Sequence, residues 1–199
     1  MAECNDGVVL FVMIFAVVWL LSVLPQAFLD RSGQMKVYDA MTRRVSFAPP
    51  AITFSIVWSI LNVLVSVALY LVLDTNERCI DSSNAALVTL FFMLQLLQTF
   101  YTPVFFGLRW GIVGVLIVGV CFSLAIATTV FFWMRSTAAG LLMMPLGLWL
   151  SFALALSVVI EVVAMRVAAQ RRMLTAKQRA AARRAADPFA TRRSPAMQN

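Results

Sequence analysis

Five long apolar stretches constrain this chain more than any other feature: roughly Val8–Leu29, Pro50–Leu73, Ala85–Phe106, Gly111–Met134 and Ala138–Met165. Each is close to the ~20 residues that a helix needs to cross the hydrocarbon core of a bilayer. Lipid offers no hydrogen-bond partner to an open strand, so segments of this length inside it must be helical. A soluble domain of 199 residues, 62% of them hydrophobic and 13% charged, could not hide so much apolar surface. The expected fold is an all-α membrane protein: a five-transmembrane-helix bundle over residues 1–165, then a basic cytosolic tail over 166–199, helical at first and then disordered.

The first segment is read as a retained helix. Its leading residues carry Glu3 and Asp6 but no Lys or Arg, and Leu24-Pro25-Gln26-Ala27 is a poor cleavage site. Pro25, Pro103 and Pro145 fall towards the ends of their segments, where a kink costs least. Charge sets the orientation. The first loop (Arg31, Lys36, Arg43, Arg44), Arg109 and the tail place fourteen basic residues on one side, against Arg78 and Arg135 on the other. By the positive-inside rule the C-terminus and first loop are cytosolic. Nine Lys and Arg lie between Arg166 and Asn199 with a single acid, Asp187, which fits topology-setting or attraction to anionic headgroups. No aromatic interleaving accompanies that charge, so nucleic acid is not an expected partner.

The chemistry is bounded by what is missing. There is no histidine, which removes Ser-His and Cys-His hydrolases, His-Glu-x-x-His metallopeptidases and His-ligated haem. Cys4, Cys79 and Cys121 are scattered and fit neither a disulfide framework nor a zinc site. Glu161 is the one acid inside an apolar segment, near its cytosolic end, where it can snorkel or meet Arg166. One acid makes no proton relay and no acid/base pair, so an enzyme is not expected.

The aromatic inventory is rich. Phe54, Trp58 and Asn62 follow Pro49-Pro50 at intervals of four and share one helix face. Tyr101, Phe105 and Phe106 lie on the third segment, and Trp149 and Phe152 on the fifth. Trp19, Trp110 and Trp133 suit interfacial belts. Large rings beside Asn62, Gln98, Ser151 and Ser157 suit a flat apolar ligand with polar edges, although the polar groups can equally bridge helices.

Three blocks of residues carry a likeness. They are Phe47-Ala48-Pro49-Pro50 with Val57-Trp58 and Leu61-Asn62; Leu97-Gln98 with Tyr101 and Phe105-Phe106-Gly107-Leu108-Arg109; and Pro145-Leu146-Gly147-Leu148-Trp149 with Phe152-Ala153 and Leu156-Ser157. From about Tyr38 to Met165 the chain resembles the TspO/translocator-protein (peripheral-type benzodiazepine receptor) family, with each block free of gaps. The departures fall on aromatic and amide positions: Phe47 and Tyr101 stand for Trp, Asn62 and Leu146 for Tyr, and Gln98 and Ser157 for Asn. The sterol motif of animal members is not preserved, since Val158 and Val162 occupy its Tyr and Arg positions.

The resemblance implies a TspO-type five-helix bundle with a pocket opening towards the first loop. It further implies a receptor or transporter for a porphyrin or other tetrapyrrole, with sterol second. Pro49, Phe54, Trp58, Asn62, Gln98, Tyr101, Phe105, Val113, Trp149, Ala153 and Leu156 would bind the ligand. Arg43 and Arg44 could meet porphyrin propionates at the entrance. No metal or cofactor is required; porphyrin or haem enters only as a ligand. Membrane lipids and a second copy in a homodimer are the other expected partners. The mitochondrial outer membrane is the first expectation for location, ahead of the endoplasmic reticulum or a bacterial inner membrane. The competing reading is a structural or interaction protein whose tail recruits partners or anionic lipid.

Overall fold

The computed structural model describes residues 7–32, 34–43, 45–74, 84–108 and 110–186. Arg44, Arg78, Arg109, Cys4, Cys79, Glu3 and Asp6 lie outside the described residues, as does the side chain of Arg31. Six α-helices follow in order: α1 Gly7–Ser32, α2 Gln34–Thr42, α3 Ala51–Asp74, α4 Ala85–Thr102, α5 Gly111–Arg135 and α6 Thr137–Ala186. A π-helical turn, Pro103–Gly107, follows α4 directly. Among the described residues there is no strand. Among the described residues, four helical stretches are long and apolar enough to cross a bilayer: Ala51–Asp74, Ala85–Gly107, Gly111–Arg135 and Thr137–Ala185. Within α1 the corresponding apolar stretch is shorter, Val9–Val23.

The chain divides into two compact units, Met1–Glu161 and Val162–Asn199. In the first, α1 packs on α3 and α4, and α4 packs on α5. Val18, Val65, Ala68, Leu69, Phe91, Leu94, Phe132 and Met143 form the centre of its core. A second cluster gathers Val45, Phe105, Leu156 and Ile160. Outward-facing positions are just as apolar: Leu20, Ile52, Leu116 and Leu148 are each more than 60% exposed. Helices that are greasy all round belong in lipid. The buried polar groups Asn62, Ser66, Gln95, Thr128 and Ser157 lie inside instead. Ser66 and Thr128 spend their hydroxyl protons on the carbonyls four residues back, Asn62 O and Leu124 O, which removes the cost of burying them.

Local chemistry places the element ends. Proline has no N–H to continue α4, and at Pro103 the chain widens into the π-turn. Leu108 N donates to Pro103 O at 2.9 Å, and Gly114 N to Trp110 O at 2.8 Å opens α5. Ser136 is extended (φ −151°, ψ 121°), ends α5 and accepts from Ala139 N at 3.4 Å, so it also caps α6. Gly140 is required at that corner because a Cβ there would meet Trp133. The stretch from Asp30 to Ala48, expected as a plain loop, contains α2. Tyr38 and Met41, three residues apart, fix which side of this short helix packs inward, and Val45, just past its end, is buried with them.

In the second unit, residues up to Ala186 are helical and the side chains from Ala168 to Ala185 are exposed. Asp187 and the prolines at 188 and 195 lie outside the described residues.

Candidate functional site

Rings from five elements meet in the first unit. Phe54 on α3 packs edge-on against Trp149 on α6, with ring centroids 5.2 Å apart. Trp149 tilts over Phe152 at 5.4 Å, and Phe152 touches Phe47 at 6.4 Å. Tyr38 on α2 lies edge-on to both Phe54 and Phe106, at 5.5 Å from each. Tyr101 and Phe105 close the far side at 5.7 Å, and Phe105 meets Phe106 at 4.8 Å. Edge-to-face pairs of this kind contribute ~0.5–1.5 kcal/mol each beyond the area they bury.

Polar groups edge the cluster. The Tyr38 hydroxyl donates to Pro49 O at 2.6 Å, tying α2 to the Pro-Pro pair that leads into α3. Burial, and after it the charge on neighbouring Asp39, pushes the Tyr38 phenol up to about 12. The Tyr101 and Ser157 hydroxyls are 2.7 Å apart. Ser157 gives its own proton to Ala153 O at 2.6 Å, so Tyr101 is the donor of that pair. The Trp149 indole N–H is buried and has no hydrogen-bond partner. A buried donor left unmatched costs ~1–3 kcal/mol, so this group is set to receive an acceptor.

A separate recess of about 50 Å³ opens beside Trp58, lined by Leu21, Ser22, Gln95, Gln98, Thr99 and Thr102. Ser22 Oγ donates to Asn62 Oδ1 at 3.1 Å, and Gln98 Nε2 to Gln95 Oε1 at 3.4 Å. Thr99 Oγ1 lies within hydrogen-bond distance of Leu21 O and Gln95 O. The space suits a water or one polar group. Pockets for drug-sized ligands run roughly 300–1,000 Å³.

The expected site residues therefore fall into two neighbouring places. Pro49, Phe54, Tyr101, Phe105 and Trp149 join the ring cluster or its edge; Leu156 is buried in the core around Phe105, and Ala153 in the main core. Trp58, Gln98 and Asn62 belong to the polar recess, while Trp58 and Trp149 both pack on the main core. Val113 stands apart, 41% exposed on α5. Arg43 is exposed. Tyr38, Ser22 and Gln95 were not anticipated. Tyr38 had a signal in the Met41 and Val45 spacing; Ser22 and Gln95 became visible only when α1 and α4 were brought together.

Glu161 is placed by contact. A Cβ on Gly111 would overlap its carboxylate, so the acid lies directly against the first turn of α5. The first N–H groups of a helix lack partners and carry partial positive charge, which favours an anion there. Gly114 is likewise required, because Phe105 packs where its Cβ would stand.

The sequence model of the TspO/MBR family matches residues 8–163. The chain belongs to the TspO/MBR family. Protein CrtK of Rhodobacter capsulatus is similar, 31% identical over 121 residues, which cover 60% of this chain and 73% of that protein. Within a family of membrane proteins, the apolar helices described above make this an integral membrane protein. Two of the positions at which the chain departs from the resemblance are paired in the structure. Tyr101 and Ser157, in place of Trp and Asn, hydrogen-bond to each other across α4 and α6.

Proposed function

We propose that this TspO/MBR-family chain is a non-enzymatic membrane receptor or transporter that takes a flat hydrophobic ligand, a tetrapyrrole ahead of a sterol, into the ring cluster between α3, α4 and α6. The observation that carries the reading is the unpartnered indole N–H of Trp149 among Phe54, Phe152 and their neighbours. Rings supply a greasy wall for a planar molecule, and a lone donor supplies the point that orients it. The rings touch one another, so entry requires that Phe54 and Trp149 part. Tyr38 and α2 lie over the same rings and would move with them. Arg43, exposed beside α2, is placed in sequence to attract carboxylates.

In this reading α1, at 26 residues, is the fifth crossing, and the fourteen-to-two charge asymmetry puts the C-terminus in the cytosol. A homodimer completes it, in the mitochondrial outer membrane ahead of the endoplasmic reticulum or a bacterial inner membrane. With no histidine and Glu161 as the one acid inside an apolar segment, the ligand is held and released without chemistry in this reading.

Protoporphyrin titrated into the purified protein should quench tryptophan emission saturably. Trp149→Phe should bind about tenfold more weakly, the loss of roughly one hydrogen bond, while its thermal midpoint stays near the parent's because the unmatched donor has gone. Unchanged affinity in both Trp149→Phe and Phe54→Ala would sink the assignment.

A further inference from the structure

The recess beside Trp58 is polar where its surroundings are apolar, and the ring cluster does not use it. Ser22 comes from α1, Trp58 from α3, and Gln95, Gln98 and Thr99 from α4, so three apolar helices turn polar side chains to one point.

Each of two hydroxyls there has already placed its proton. Ser22 Oγ donates to Asn62 Oδ1 at 3.1 Å, and Thr99 Oγ1 shares its single proton between Leu21 O at 3.2 Å and Gln95 O at 3.0 Å. What both oxygens keep is lone pairs, so towards a further group they can only accept. The two amides are in the opposite position. Their mutual bond, Gln98 Nε2 to Gln95 Oε1, is long at 3.4 Å and uses one of the four N–H groups that two amides carry. Gln95 is only 5% exposed, which leaves its amide little access to solvent. Unmatched polar groups are costly at this depth, because lipid supplies neither donors nor acceptors.

Acceptors beside donors match a group that can do both. A carbonyl or carboxylate would only accept, and would turn its lone pairs on those of Ser22 and Thr99. An ammonium would only donate, and the lining residues offer it no counter-charge. We propose that this recess binds one uncharged hydroxyl, of water or of an alcohol carried by a lipid-soluble molecule, and so ties α1 to α4 through Ser22, Thr99 and the two amides. Its volume agrees. About 50 Å³ exceeds the roughly 10–15 Å³ that one water needs and is too small for a ring system.

The test uses the full chain, labelled with 5-fluorotryptophan, in nanodiscs. Trp58→Phe identifies the Trp58 fluorine signal among the five tryptophans. Transfer from light to heavy water should move that signal, because the exchangeable hydroxyl proton lies against the ring. Thr99→Val, which removes an acceptor but almost no volume, should cut the isotope shift at least twofold, and Gln95→Leu as a second variant should cut it as far. Thr89→Val, an exposed hydroxyl bonded to Ala85 O, should leave it unchanged. Octanol, octanal and octylamine at equal concentration separate the two sources. A saturable movement of the Trp58 signal with octanol alone assigns the site to a lipid-borne alcohol; an isotope shift with no response to any of the three assigns it to water. A Trp58 signal indifferent to both heavy water and octanol would overturn the proposal. So would an isotope shift that survives Thr99→Val and Gln95→Leu in full, or a response to octanal or octylamine as strong as that to octanol.

Discussion

Gly111 and Glu161 show how one missing side chain positions another. The carboxylate occupies the space a Cβ would take, at the turn where α5 has N–H groups to offer. From sequence, Glu161 was an isolated acid free to snorkel or to find Arg166; no spacing rule links positions 111 and 161. Gly111→Ala should destabilise the bundle by ~1–3 kcal/mol, in the range of overpacking. Adding Glu161→Ala should recover part of the loss in thermal midpoint, whereas Glu161→Ala alone should cost less than the glycine change. If the double variant melts no higher than Gly111→Ala, the contact is not what requires glycine. Trp149 teaches the converse lesson. Its place on an aromatic face was legible, but an unmatched N–H is a property of neighbours and appears only once they are assembled.

The spans were readable at the scale of elements because apolar length is a local property. The expected segments start and stop within a few residues of α3, α4 with its π-turn, and α5. The short helix α2 escaped because its nine residues carry Lys36 and Asp39 beside only a few apolar positions. What secures it is tertiary: Tyr38 ties it to Pro49 and seats it on Phe54 and Phe106. Its phenol gains a proton preference on folding, from an ordinary value of 10.0 to about 12. The contribution is complete below pH 10 and drains away between pH 10 and about 12, where the unfolded form has released its proton and the folded form has not. An alkaline melt should show α2 loosening in that window, and Tyr38→Phe should reduce the pH dependence while lowering the neutral-pH midpoint slightly. A Tyr38→Phe protein with an undiminished alkaline slope would show that another group titrates there.

For the whole molecule, the sequence pointed to the right family and to helices that lipid must surround, since length and apolarity are enough for that. It grouped Trp58 with Trp149, because a shared aromatic character says nothing about which neighbouring helix each faces. Trp58 and Asn62 face α1 and the amides of α4, while Phe54, one turn earlier, faces α6. Val113 was carried over from family likeness and lies 41% exposed. There is a consequence in the contrast between a ring cluster closed upon itself and outer faces left greasy. Part of what steadies this protein is borrowed from its host, and that part changes whenever one bilayer or detergent is exchanged for another. Phe105, the fully buried ring of the cluster, borrows nothing. Melting temperature should wander by many degrees from micelle to nanodisc, while porphyrin affinity measured in the same two hosts should barely stir.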